Sequence, residues 1–241
     1  ASRTEFKSLL YQTLQTKTTS ANGEEKPIGA QVGLGTRVAS ITTMYTQGSM
    51  NASESATDFA LEGEGFFAVR DVDGEVYYTR NGNFTWAQDA NGNTLLTDVE
   101  GCPVLDRNGN AIYVPENITT ESMRFSQQGQ IGYVVPDTAG EGQYVDLNQT
   151  FGIYQFNNPA GLDKANGAVY KATLTSGEPR WEHLDDNVGK SSLLQTYLES
   201  SNVEAAEEMV NLIIAQRAYE MNSKIITASD TMLQQANNLR S

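Results

Sequence analysis

Hydrophobic and polar positions follow two rhythms along this chain. In the middle, apolar residues come in short runs separated by turn-forming residues. Phe66-Phe67-Ala68-Val69-Arg70 and Glu75-Val76-Tyr77-Tyr78-Thr79 flank Asp71-Val72-Asp73-Gly74. Asp and Gly tolerate positive φ, so an Asp-Gly pair between β-branched and aromatic runs predicts a hairpin. The pattern recurs: Asp89-Ala90-Asn91-Gly92-Asn93 separates Asn83–Trp86 from Thr94–Thr97, and Asp106-Arg107-Asn108-Gly109-Asn110 separates Pro103–Leu105 from Ala111–Val114. Further apolar runs at Met123–Ser126, Ile131–Val135, Tyr144–Phe156 and Ala168–Leu174 bring the expectation to about ten strands of an antiparallel β meander with a core of its own.

Near Lys190 the rhythm changes. Val203, Ala206, Val210, Ile214, Ala218, Met221, Ile225, Ala228, Met232, Ala236 and Leu239 recur at intervals of three and four, which predicts one helix of roughly 36 residues with an apolar seam. Asn202 is the expected N-cap, and Glu204, Glu207 and Glu208 stand where the helix dipole favours anions. Asn211, Gln216, Glu220, Asn222, Lys224 and Asp230 are assigned to a polar opposite face. Such a stripe needs a partner helix. Phe6, Leu9, Leu10 and Leu14 make at most a short amphipathic start before the polar stretch Thr16–Lys26, so the partner is expected from residues beyond this chain or from other copies. The fold class is mainly β with a long terminal helix (α+β): a 1–30 extended or short-helix linker, a 31–189 antiparallel multi-hairpin β domain, and a 190–241 coiled-coil-type assembly helix.

Composition sharpens this division. All six prolines and all 21 glycines lie between Gly23 and Gly189. Residues 27–189 carry eight basic and 21 acidic side chains, a net of −13 within a chain total of −14. That charge repels nucleic-acid phosphates and anionic lipid at long range. No apolar run exceeds four residues, against about 20 for a membrane-spanning helix, so neither nucleic acid nor membrane insertion is expected. One cysteine, Cys102, and one histidine, His183, leave no internal disulfide and no Cys/His metal site. No basic-then-apolar leader precedes Ser2-Arg3-Thr4-Glu5, and the numbering is read as beginning inside a longer chain.

Motifs for chemistry resolve into structure. The Asp-rich loops place Gly fourth, whereas a calcium loop needs it sixth, followed by Glu at position 12. Gly189-Lys190-Ser191 lacks the upstream glycine of a phosphate-binding loop and follows Asp185-Asp186. His183 reads as a solvated loop residue, and Cys102, next to Glu100, as a small buried apolar one. Arg217 is expected to pair with Glu220. No catalytic, cofactor-binding or metal site is expected.

Two ordered motifs carry a family resemblance. Leu61-Glu62-Gly63-Glu64-Gly65-Phe66-Phe67-Ala68-Val69, then Asp73-Gly74, Tyr78-Thr79-Arg80-Asn81-Gly82-Asn83-Phe84 and Gly101-Cys102-Pro103-Val104-Leu105, resemble the central signature of bacterial flagellar rod and hook proteins. Leu198-Glu199-Ser200-Ser201-Asn202-Val203, Glu207-Glu208-Met209, Gln216-Arg217-Ala218-Tyr219-Glu220-Met221-Asn222-Ser223-Lys224 and Asp230-Thr231-Met232-Leu233 resemble the family's terminal assembly helix. Phe6–Thr13, a polar stretch and Gly33-Leu34-Gly35 are similar to the segment that marks its distal rod members. Thr196 stands where the family usually has Gly. The resemblance implies a non-enzymatic subunit of the flagellar basal body, lacking its N-terminal partner helix and exported through a flagellum-specific type III channel without a cleaved leader. Such subunits polymerise with their own copies and with neighbouring rod and hook subunits. Their helices line the export channel and their β domains lie outside, toward ring or bushing proteins or the cell wall. Rival readings are a proximal rod or hook subunit, or an envelope carbohydrate-binding or wall-hydrolysing β module.

Overall fold

The computed structural model describes residues 2–15, 30–90, 92–115, 118–135, 142–185 and 188–239. Among them all strand pairs are antiparallel, and one α-helix, Ala205–Asn238, lies near the C-terminus. The class is α+β, mainly β.

One turn builds much of the β unit. In Asp71–Glu75 the Gly74 N–H donates to the Asp71 carbonyl and the Asp71 N–H to the Glu75 carbonyl. The same two bonds recur from Asp89 to Asn93, Asp98 to Cys102, Asp106 to Asn110 and Ser126 to Gln130. In all five the fourth residue is glycine, with φ between 79° and 87°, the left-handed conformation that closes such a turn. Four begin with Asp, whose carboxylate accepts the N–H of the next residue (Val72, Ala90) or the one after (Glu100, Asn108). Two of the five, at Asp98 and Ser126, go beyond the three read from Asp-Gly and Asn-Gly pairs.

The hairpins do not form a simple meander. The largest sheet runs Asp163–Lys164, Val169–Lys171, Val76–Thr79, Phe66–Arg70, Ile153–Gln155, Arg180–Trp181, so the signature hairpin is central and strands from about 90 residues later flank it. The strands are also shorter and more numerous than expected, because the recurring turns and an Asn148 at φ 57° beside a register shift interrupt the ladders. Phe59, Phe67, Phe84 and Phe151 pack at ring-centroid distances of 5.1–6.5 Å with Leu61, Leu96, Ile112 and Ile131, all essentially inaccessible. A second cluster, around Phe66, Tyr78 and Phe156, fills the other side of the signature strand.

The N-terminal segment is not helical where Phe6 to Leu14 suggested a helical start. Ser2–Ser8 pairs with Thr36–Thr43, and Tyr11–Gln15 with Ala30–Gly33. The alternation Thr4-Glu5-Phe6-Lys7 has period two and finds a Thr-rich, β-branched mate. Phe6 lies opposite Val38 and Thr4 opposite Ile41, while Arg3, Glu5, Lys7 and Arg37 alternate to the other side. Phe6, Val38 and Ile41 are all exposed. The expected polar stretch Thr16–Lys26 lies outside the described residues.

Residues 192–199 are strands rather than helix: Ser192–Gln195 pairs with Phe59–Glu62, and Tyr197–Glu199 with Met50–Ala52. By its contacts the chain divides into two units, Ala1–Ser201 and Asn202–Ser241.

Candidate functional site

The quoted signature residues converge on the strand that precedes the helix. Arg80 follows the strand Val76–Thr79, and its Nε donates to Glu199 Oε2 at 3.0 Å. Its Nη2 lies 3.0 Å from the same oxygen but too poorly aligned for a hydrogen bond, so it adds charge attraction only. Nη1 donates to the carbonyls of Gly63 and Gly65 at 2.9 and 3.2 Å, and the guanidinium sits 5.7 Å from the Phe66 ring centroid. The other carboxylate oxygen of Glu199 accepts the Gly48 N–H at 2.9 Å. With side chains only 14% and 13% exposed, this ion pair belongs to the class in which removing one partner costs far more than an exposed pair is worth.

Close backbone approach explains two glycines. A Cβ on Gly82 would lie 1.8 Å from the Phe59 carbonyl oxygen, and one on Gly48 1.9 Å from that of Ser200. Gly63, at φ 139°, and Gly65 pack against Ser191, whose hydroxyl accepts the Gly65 N–H at 3.0 Å and donates to Glu182 at 2.7 Å. The buried Glu182 carboxylate also accepts the Ser191 N–H and Gln155 Nε2. Thr79 accepts the Asn81 N–H and donates to the Ala168 carbonyl. Phe66, Phe67, Tyr78 and Phe84 are core, and Asp73-Gly74 is a turn. Burial, with Tyr154 nearby, pushes the Tyr78 hydroxyl up to about 12.

Thr196 sits at the corner between the last two strands with φ 62°, a conformation that β-branched residues resist. Its N–H donates to the Asp58 carbonyl and its carbonyl accepts the Ser53 N–H. This is the position at which glycine is expected from the resemblance, and the backbone explains that glycine.

The helix, taken by itself, has no buried residue. Along the expected seam the large side chains are between 43% (Val203) and 90% (Leu239) exposed, Val210, Ile214, Met221, Ile225 and Met232 among them; Ala206, Ala218, Ala228 and Ala236 are exposed too. Two expectations change. The N-cap is Glu204 rather than Asn202, with extended backbone and no side-chain cap bond. The opposite face is not uniformly polar, because Leu212, Tyr219, Ile226 and Leu233, also exposed, form a second row roughly 130° around the helix from the seam. Following a single chain of three- and four-residue intervals concealed that row. Arg217 pairs with Glu220 at 3.0 Å in full solvent; Gln216 and Asn222 stand exposed on the helix.

Residues missed in the sequence are Gly48, Glu182, Ser191 and Glu199. Glu199 stood within a quoted motif, but only the fold shows it meeting Arg80, 119 positions away. Among the described residues no three His, Cys, Asp or Glu side chains gather as metal ligands.

Two family models match. One, for the D1 domain of the flagellar hook protein FlgE/F/G, covers residues 60–133, and one for the C-terminal part of flagellar basal-body rod FlgEFG proteins covers residues 194–239. Over 239 residues, 99% of this chain and 85% of its relative, the sequence is 39% identical to the flagellar basal-body rod protein FlgG of Borreliella burgdorferi. The chain belongs to the FlgG family. FlgG proteins of Buchnera aphidicola from Acyrthosiphon pisum and of Bacillus subtilis are 38% and 33% identical, each across 99% of this chain and 86% of the relative. As a FlgG-family protein the chain is a structural component of the flagellar basal-body rod, not an enzyme, and assembles with its own kind and neighbouring rod and hook subunits. Among the described residues no helix is long and apolar enough to cross a membrane.

Proposed function

We propose that this FlgG-family chain is a distal rod subunit whose helix polymerises into the inner layer of a helical tube that encloses the export channel and carries motor torque to the hook. The observation that carries this reading is the 34-residue helix, about 51 Å long, with apolar side chains exposed throughout its length. A helix in water draws most of its stability from packing of such a face, so its partners are other helices of the assembly. Leu198 and Glu199, a few residues ahead of it, are held by the strand Met50–Ala52 and by Arg80, which fixes the end of the β unit from which the chain continues. The ribbon of Ser2–Ser8 and Thr36–Thr43, apolar on one side and mostly basic on the other, suits contact with an acidic neighbouring subunit, and the acidic β unit suits an outward position toward ring or bushing proteins or the cell wall.

Electron microscopy of basal bodies from a strain lacking the gene tests the assignment. A rod that ends short with no hook is the expected result. Loss of the whole rod would move the protein to a proximal position, a complete rod without a hook would make it a hook subunit, and intact flagella would overturn the reading.

A further inference from the structure

A cavity of about 280 Å³ opens on the β unit between the Ser126–Gln130 turn, the end of the strand Gln143–Thr150, and the segments around Trp181 and Lys190. Its size suits a ligand of a single ring rather than an extended one, since pockets for drug-sized molecules begin near roughly 300 Å³. Neither the torque-bearing role nor the Arg80–Glu199 clamp uses it.

The lining has an ordered chemistry. Phe151 and Ile153, from the core, give an apolar floor. Trp181 is half-buried at one wall, and the His183 ring continues that wall, 6.3 Å away by centroid and tilted 35°. The exposed side chains of Gln127 and Gln128 stand at the rim, and no hydrogen bond within the described residues engages their amides. Glu182, by contrast, is already engaged by Ser191 and Gln155. An aromatic wall, an apolar floor and free amides at the rim match an uncharged amphipathic ring that carries hydroxyls, an amide and a methyl group. Phosphorylated ligands are disfavoured, because Lys190 is the one lysine or arginine in the lining and the surrounding unit is strongly acidic.

We propose that this cavity binds an N-acetylated hexosamine, with the sugar face on Trp181, the acetamido methyl directed toward the cavity's apolar bottom, beneath which Phe151 and Ile153 lie, and the Gln127 and Gln128 amides on the acetamido and hydroxyl groups. The site binds and does not hydrolyse. One ring in a shallow cavity gives an affinity in roughly the millimolar range.

The test is a titration of the full chain, labelled with ¹⁵N, with N-acetylglucosamine, its β-1,4-linked trimer and, as a control without acetamido groups, maltotriose. Saturable shifts confined to the Trp181 indole N–H, the two glutamine amides and residues 150–153 are expected for both N-acetylated sugars and not for maltotriose. Trp181→Ala should weaken binding at least tenfold. Gln127→Ala/Gln128→Ala, at exposed positions that leave folding intact, should weaken it at least threefold. The proposal is overturned if no sugar produces saturable shifts, if maltotriose binds as well as the trimer, or if the glutamine variant binds like the parent.

Discussion

Thr196 is the residue whose backbone and side chain disagree most. Its φ of 62° is held by hydrogen bonds to Asp58 and Ser53 on either side, and strain of this kind costs on the order of 1–3 kcal/mol. Thr196→Gly is therefore expected to stabilise the β unit by about 1 kcal/mol, read as a rise of roughly 2–4 °C in thermal midpoint; an unchanged or lower midpoint would show the corner to be unstrained. Arg80→Met leaves Glu199 buried without its cation and should cost roughly 3–5 kcal/mol, whereas adding Glu199→Gln should restore part of that loss. Urea titration of the two single variants and the double closes the cycle, and simple additivity would remove the pair from the account. Burial pushes the Cys102 thiol above its usual range, and Asp98, Asp71 and Glu100 add to the shift. Because the thiolate is the nucleophile, iodoacetamide should label native Cys102 more slowly at neutral pH than the same thiol in urea. The acidity around Cys102 was legible in the neighbouring Glu100, and the burial read for it from the sequence is partial in the structure. The Arg80–Glu199 contact was illegible altogether, since nothing local marks residues 119 positions apart as partners.

At the scale of elements, what could be read depended on how local the cause was. Asp71–Glu75, Asp89–Asn93 and Asp106–Asn110 were visible because five consecutive residues contain both the hydrogen bonds and the glycine that close the turn. Helix Ala205–Asn238 was visible because its period persists for 34 residues. Residues 1–30 were read as extended or short-helix, and the pairing of Ser2–Ser8 was not legible because two exposed strands are stabilised by each other, and an isolated Phe-Leu-Leu pattern serves a helix equally well. The central position of Phe66–Arg70 between Val76–Thr79 and Ile153–Gln155 likewise follows from sheet pairing that no short pattern encodes. The two apolar rows of the helix give the proposed assembly a test. Ala218→Asp places a charge in the seam and should abolish motility and polymer formation, while the unfolding midpoint of the β unit stays within the small range typical of exposed substitutions, about 0.5 kcal/mol. Tyr219→Asp does the same to the second row. If both rows contact neighbours, each variant alone is sufficient to block polymerisation, and normal swimming in the Tyr219→Asp strain would confine assembly to the seam.

For the whole molecule, the hairpins close within a few residues, whereas Gly48 meets Glu199 at a separation of 151 positions. Short loops are quick to close and long ones slow, because chain entropy must be lost before distant contacts form. On refolding from denaturant, pulse-labelling hydrogen exchange should therefore find the amides of Val69 and Val104 protected before those of Asn51 and Leu198, and simultaneous protection would argue against the order. The same order fixes when the residues ahead of the helix take their place. Leu198 and Glu199 are held by these last closures, to Met50–Ala52, Gly48 and Arg80, so the strand Tyr197–Glu199 reports that the β unit is complete. A chain in which an earlier pairing has failed leaves that strand without its mates, so protection of the Leu198 amide is a single-residue reading of whether the β unit has closed.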